Sequence, residues 1–273
     1  MVVKELIKRV TPAPIWQRLR LARLRHELRS FPVHDVQHAY HGFPLTIRLA
    51  DGLGRGWYDR DWPPLREVTL LQQHALKPGA RVFDLGAHQC VVACILASIV
   101  GERGQVIALE ANQHNARIGR INGDLNRLSQ LTVLRAAVSD ACGTLIFNEG
   151  LNGAVDTDGT WGRVEVPSLT IDELSRQYGQ PDVVFIDVEG FECAALRGAR
   201  ETLIQRPDCY VEVHVGEGLE KFGGSAKEVA DFFPQSEYDL VMFSEHDAAV
   251  VPFDLADPRA RERFFLVATR RCA

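Results

Sequence analysis

The segment of this 273-residue chain with the clearest chemical content is Val82-Phe83-Asp84-Leu85-Gly86-Ala87-His88-Gln89-Cys90. A short apolar run ends in a carboxylate, and one glycine and one small residue then lead into a second apolar run of helical length. In a sheet wound with helices, such a turn lies at the carboxyl ends of the strands, where ligands bind. Gly86 allows a tight turn and leaves no Cβ in the way of a ligand. The helix N-terminus that follows offers unpaired N–H groups suited to a carboxylate. Asp84 can take an ammonium group or hold the loop by hydrogen bonds. At the end of the next apolar run stands Glu110, and an acid there can accept both hydroxyls of a ribose. An amino-acid-binding turn beside a ribose acceptor describes S-adenosylmethionine better than a dinucleotide. Gly86 to Cys90 does not spell G-x-G-x-x-G, which disfavours a nucleotide-dependent oxidoreductase, and no G-x-x-x-x-G-K-[ST] occurs.

A second group of acids follows a later apolar run, in Ile186-Asp187-Val188-Glu189-Gly190-Phe191-Glu192, and Glu212 and His214 close the next one. Methyl displacement from a sulfonium needs alignment and a dry site. A hydroxyl acceptor must in addition lose a proton. His214, whose side chain titrates near neutrality, and Asp187 are the candidate bases, and Glu189 is a candidate for orienting the acceptor. Asp187 and Glu189 could equally cap the helix that starts near Gly190. Glu212 and His214 share strand parity, opposite to Val211 and Val213. Asp187 alone makes no divalent-metal site. The histidines His34, His38 and His41 and the run Glu245-His246-Asp247 lack a second convergent set, so no metal is expected.

The elements that must position these residues follow from periodicity. After Gly79, short apolar strands alternate with amphipathic helical segments, the pattern of a sheet with helices on both faces. Strands are predicted at Arg81–Leu85, Gln105–Glu110, Leu131–Val138, Asp182–Asp187, Cys209–Val215, Tyr238–Phe243 and Phe264–Thr269. Helices are predicted at Cys90–Val100, Asn112–Leu128, Thr170–Tyr178, Glu192–Ile204 and Ala226–Phe233. The glycine-rich stretch Gly143–Pro167 reads as a hairpin or flap, and its tip at residues 150–162 is expected to shape an acceptor pocket. Residues 1–30 read as helix, interrupted at Pro12 and Pro14. Residues 31–64 read as loop around one strand at Phe43–Leu49.

The motifs, taken together and in order, resemble the FkbM family of methyltransferases. Its D-x-G-A-N-x-G turn corresponds to Asp84-Leu85-Gly86-Ala87-His88-Gln89-Cys90 and its second-strand acid to Glu110. The segment A-[VL]-S-D-x-x-G appears as Ala137 to Gly143, T-[LI]-D-[ED] as Thr170 to Glu173, I-D-V-E-G-x-E as Ile186 to Glu192, and L-x-G-A as Leu196 to Ala199; Val211-Glu212-Val213-His214 closes the series. The resemblance implies an α/β fold: a three-layer, Rossmann-like methyltransferase domain over residues 65–273, with a mostly parallel seven-stranded sheet and an N-terminal helical and loop extension over 1–64. It implies S-adenosylmethionine as cofactor, held by Asp84, Gly86, Ala87, His88 and Glu110, with Ser139 and Asp140 beside the adenine. Asp187, Glu189 and Glu192 would lie near the acceptor, expected to be a hydroxyl of a small natural product or saccharide. Three positions depart from the pattern: His88 for asparagine, Cys90 for glycine, and Phe185 where a lysine is common. Cys90 puts a side chain where loop and helix should approach closely, a feature that would suit the alternative of a non-catalytic binding or scaffold protein.

Bulk properties narrow the partners. The net charge is −5 and 46% of residues are hydrophobic, an ordinary globular balance that favours no nucleic-acid partner. Residues 1–30 carry a net +6 and the remainder about −11. Such a basic leader can touch a membrane surface, nucleic acid or an acidic partner, or simply form a solvated helix packed along one apolar stripe. Six scattered cysteines without a CxxC pair suit a reducing, cytoplasmic setting. No apolar run reaches the roughly 18 to 20 residues of a membrane span.

Overall fold

The computed structural model describes residues 13–148, 150–151, 155, 163–247 and 249–271. Residues 1–12 of the basic leader and residues 152–154 and 156–162 of the expected flap lie outside the described residues.

The chain begins with helix α1 (Ala13–Ser30), the antiparallel pair β1 (His34–Tyr40) and β2 (Phe43–Leu49), and the short helices α2 (Gly52–Tyr58) and α3 (Arg66–Gln72). The alternating section then runs β3 (Arg81–Leu85), α4 (Val91–Val100), β4 (Gln105–Leu109), α5 (Gln113–Leu125), β5 (Leu131–Leu134), β6 (Ala137–Val138), β7 (Gly143–Phe147), β8 (Val164–Leu169), α6 (Ile171–Tyr178) and β9 (Val183–Ile186). It closes with α7 (Glu192–Arg197), α8 (Arg200–Ile204), β10 (Asp208–Val213), α9 (Ala226–Asp231), β11 (Tyr238–Phe243), β12 (Val251–Pro252) and β13 (Phe264–Arg270).

The main sheet has the order β12-β11-β13-β10-β9-β3-β4-β5. β5, β4, β3, β9 and β10 are mutually parallel, and β13 runs against both β10 and β11. The expected mostly parallel, Rossmann-like architecture is present, and the two-residue β12 adds an eighth strand at one edge. Both faces are covered, which is why the central strands read as nearly continuous apolar runs. Val82 faces one core with Ile95, Leu96 and Ile47, whereas Phe83 and Leu85 face the other with Leu174, Leu196 and Leu266. Register aligns Leu85 with Leu109 on one side and with Ile186 on the other. Gly86, Glu110 and Asp187 therefore leave the sheet side by side.

Two predicted elements are broken. The strand expected over Leu131–Val138 ends at Leu134, and Ala137–Val138 turns away to pair with Ser168 and Leu169 in a second, three-stranded sheet of β6, β8 and β7. The helix expected over Glu192–Ile204 breaks at Gly198, where a Cβ would collide with the Ser139 carbonyl oxygen. The Gly198 carbonyl there accepts the Asp172 amide at 2.9 Å. The early region is also more ordered than its proline and glycine content suggested. β1 and β2 join through His41 and Gly42, both at positive φ, the backbone of a tight hairpin. Asp51 caps α2 by accepting the Gly54 amide at 2.7 Å. β2 is fastened to α5, with the amides of Thr46 and Arg48 donating to Asn126 and Asn122 at 2.9 and 2.8 Å.

Candidate active site

Gly86 sits at φ +94°, and a Cβ there would collide with the carbonyl oxygen of Asp187. Glycine is required by both conformation and space. The amides of Gly86 and Ala87 both donate to the Leu109 carbonyl, at 3.0 and 2.9 Å, and Asp187 donates to the Leu85 carbonyl at 2.9 Å. The turn is thus locked to its neighbours on both sides. Because these amides are engaged internally, a ligand carboxylate would meet the N-terminus of α4, which has no side-chain cap, and not the amides of Gly86 and Ala87.

Glu110 is buried at the end of β4. One carboxylate oxygen accepts the His88 amide at 2.8 Å and the other the Asn112 amide at 2.7 Å. Burial pushes its carboxyl up to about 8. Asp84 is 5% exposed, one of its oxygens is buried with no hydrogen-bond partner, and burial raises its carboxyl to about 7. A buried carboxyl lacking a partner inside the protein is poised for one from a ligand. His88, at φ +48°, is hydrogen-bonded through Nδ1 to the Tyr58 hydroxyl at 2.6 Å. Burial lowers its pKa to about 4, so the ring is neutral.

Two cavities meet over the turn, sharing Trp57, Gly86, His88 and Asp187. One, about 670 Å³ with its mouth, is lined by Glu110, Ala136, Ala137, Val138 and Phe147. Its walls are largely apolar, with Glu110, Asn115, Asp187 and Glu189 among its polar side chains. Ser139 and Asp140, expected beside an adenine, stand outside its lining: Ser139 is buried with its amide on the Leu169 carbonyl, and Asp140 is exposed. The turn from β5 into β6 presents the three preceding residues instead. The other cavity, about 1340 Å³, holds Asp84, Val91, Phe185, Tyr210, Glu67 and Glu212 among its walls. Phe185 lies 5.2 Å from the Tyr210 ring and gives this cavity an aromatic floor. Cys90 lines neither cavity. Its side chain points to Gly119 of α5, where a Cβ would collide with its sulfur. The close approach that glycine provides in the family motif is supplied here from the other partner.

Beyond β9, Glu189 adopts φ +52° and Gly190 φ +96°. A Cβ on Gly190 would come within 2.5 Å of the Gly218 backbone, so this turn is pressed against the segment following His214. His214 is 2% exposed and its Nδ1 is 2.6 Å from Glu192, itself fully buried. The same Glu192 oxygen accepts the Gly190 amide at 2.9 Å. His214 Nε2 faces Asp187, Glu189 and Glu212 at 3.8, 3.7 and 3.6 Å. Burial alone would lower the imidazole's pKa; the Glu192 hydrogen bond and the surrounding acids outweigh it and bring it to about 9. Burial and the neighbouring Glu212 carboxylate push Asp187 well above the usual carboxylate range. The structure therefore brings Asp187, Glu189 and His214 together, joined by Glu192 and Glu212. Sequence reasoning passed over Trp57, Tyr58 and Glu67. The signal for the first two was an aromatic pair following a spaced glycine run, at a place read as loop.

Comparison with known proteins extends this geometry. Residues 84–240 match the methyltransferase FkbM domain family. A curated relative, the hexuronic acid methyltransferase AglP of Haloferax volcanii, is 27% identical over 165 residues, which cover 59% of this chain and 66% of that protein. Among solved structures, a methyltransferase FkbM from Methylobacillus flagellatus is similar at 14% identity and TM-score 0.45, over 69% of this chain and 43% of that one. An O-methyltransferase from Thermotoga maritima is similar at 14% identity and TM-score 0.46, over 92% and 82% of the two chains. The family match begins at Asp84 itself and spans Glu110, Asp187, Glu189 and His214; the chain belongs to the FkbM methyltransferase family.

Proposed function

We propose that this chain transfers a methyl group from S-adenosylmethionine to an oxygen atom of a saccharide. The observation that carries the reading is the junction of the two cavities at Gly86 and Asp187. A nucleoside pocket opens there, across a turn with no Cβ, onto an acidic and aromatic one. The donor set fits the cofactor. Glu110 would take the ribose hydroxyls, Ala136 to Val138 the adenine, Asp84 the ammonium, and the uncapped start of α4 the carboxylate. Bound there, S-adenosylmethionine supplies an electrophilic methyl on a sulfonium. His88, neutral and fixed by Tyr58, keeps the turn closed over that site without adding charge.

The acceptor's proton goes to a carboxylate, Asp187 or Glu189. His214 is anchored by Glu192 through Nδ1, and its part is to hold those carboxylates together. The side walls suit a sugar. Trp57, Tyr58, Trp62, Tyr210 and Phe265 offer ring faces to the apolar faces of a pyranose, and Glu67 and Glu212 offer acceptors to its hydroxyls. The hexuronic acid acceptor in the name of the Haloferax relative points to the same chemical class. The features that suited a non-catalytic relative lose their force, since the Cys90 side chain stands clear of both cavities. The test is calorimetric titration with S-adenosylmethionine and its demethylated product, followed by methyl-transfer assays on a panel of uronic acid and neutral glycosides. Micromolar binding with transfer to at least one glycoside is expected, and absence of binding at millimolar ligand rejects the reading.

A further inference from the structure

We propose that Asp187, Glu212 and His214 Nε2 form a binding site for a first-row divalent cation of the Mn²⁺ type. One oxygen from each acid and this nitrogen all lie within 4.8 Å of one another. Sequence alone offered Asp187 by itself; the fold adds one ligand from each of two further positions, on and just beyond β10.

The spacing argues for an ion at the centre. His214 Nε2 is buried and stands 3.6 to 3.8 Å from three carboxylates without a hydrogen bond to any of them, and a cation bound there would take the place of its proton. Donors bound to one cation at about 2.1 Å are roughly 3.0 to 4.2 Å apart, and the distances from His214 Nε2 to Asp187 and Glu212 fall in that range. The surroundings argue the same way. A metal-bound histidine usually gives its other ring N–H to a carboxylate, which fixes the ring and raises its basicity. His214 does this through Nδ1 to Glu192, a carboxylate with no solvent exposure. Glu212 is braced in turn by the Tyr210 hydroxyl at 3.4 Å and by Arg263. One nitrogen and two carboxylate oxygens is a donor set that suits Mn²⁺, with water or an acceptor oxygen on the remaining positions. Asp187 and Glu212 both line the larger cavity, so the open positions face the acceptor side. Glu189 then remains as the carboxylate that takes the acceptor's proton. The acceptor-side role rests on the proposed methyl transfer, whereas cation binding does not.

The experiment is titration of chelator-treated, full-length protein with Mn²⁺ alone, followed by electron paramagnetic resonance of the free ion. No cofactor or acceptor is present, so failure of the metal site and failure of the methyl-transfer reading are separable. One Mn²⁺ per chain with micromolar affinity is expected. Asp187→Asn and Glu212→Gln should each weaken it at least tenfold, and Glu192→Gln should weaken it by roughly 10- to 100-fold through the ring it orients. Each variant is also checked by circular dichroism and by S-adenosylmethionine binding without metal, which Glu212→Gln should retain. No Mn²⁺ uptake at millimolar concentration, or uptake unchanged in folded Asp187→Asn and Glu212→Gln, overturns the proposal.

Discussion

Replacing Asp84 with asparagine should make the protein more stable and worse at binding its cofactor, and the two effects share one cause. Asp84 is buried, one oxygen has no partner, and burial alone raises its carboxyl from 3.8 to about 7. Because the folded-state value is the higher one, the cost of ionising the group is absent below pH 3.8 and grows as pH rises toward 7. By pH 8 the full difference, about 4 kcal/mol as an upper bound, is withheld from folding. Asparagine carries no charge to desolvate, so Asp84→Asn should raise the ligand-free melting temperature at pH 8 by several degrees and by much less at pH 5. The same substitution removes the counter-charge of the ligand's ammonium. A hydrogen bond to a charged group is worth about 1.5 to 3 kcal/mol, so the affinity for S-adenosylmethionine should fall by roughly 10- to 150-fold at pH 8. Wild-type affinity should itself strengthen as pH rises through 7, as Asp84 gives up its proton, and this slope should flatten in the variant. Thermal unfolding at the two pH values and calorimetry across pH 6 to 8 read all of these. A variant that is destabilised at pH 8, or that keeps wild-type affinity with an unchanged pH slope, refutes the assignment of Asp84 to the ammonium.

Glu110→Gln should weaken both S-adenosylmethionine and its fragment 5′-methylthioadenosine by at least tenfold in calorimetry, because the ribose acceptor is lost for each; Asp84→Asn should affect only the intact cofactor, which keeps the ammonium. Gly86→Ala places a methyl group on the Asp187 carbonyl in a left-handed backbone, and the expected outcome by differential scanning fluorimetry is a loss of more than 2 kcal/mol together with undetectable cofactor binding. Gly119→Ala should cost about 1 to 3 kcal/mol by overpacking against the Cys90 sulfur. Adding Cys90→Gly should recover most of that loss in denaturant unfolding; simple additivity of the two changes would show that these residues do not share one space.

Much of this site was legible because its residues follow strands whose apolar runs are unmistakable. Asp84, Glu110 and Asp187 each stand at or just past the end of such a run, and parallel register carries all three to one edge of the sheet. Glu212 and His214 could be paired by parity alone, since alternate residues of β10 share a face. What escaped the sequence came from outside local periodicity. The bend after Leu134 is set by pairing with β8, some thirty residues later, and it moves the cavity wall from Ser139 and Asp140 to Ala136–Val138. Glycines at 52, 54 and 56 suggested loop, yet capping by Asp51 and packing against β2 and Gln89 make this stretch helical. That tertiary override brings Trp57 and Tyr58 onto the turn.

Three of the six described residues with side chains at positive φ lie around the crevice, and they show where this chain departs from the family pattern. His88 and Cys90 lie in the turn after β3 and Glu189 in the turn after β9. Left-handed backbone costs a non-glycine residue about 1 to 2 kcal/mol and persists only where the surroundings fix it. Each of these three has such a constraint. Tyr58 and the Glu110 carboxylate hold His88, the space left by Gly119 receives Cys90, and Gly190 pressed on Gly218 fixes Glu189. The family pattern places glycine at the position of Cys90, where left-handed backbone carries no such cost. Here the cost is carried by contacts from α2 and α5, elements outside the turn itself. Tyr58 belongs to the region before the sheet, so removal of residues ahead of β3 should disturb the cofactor turn although none of the family's motif residues is lost.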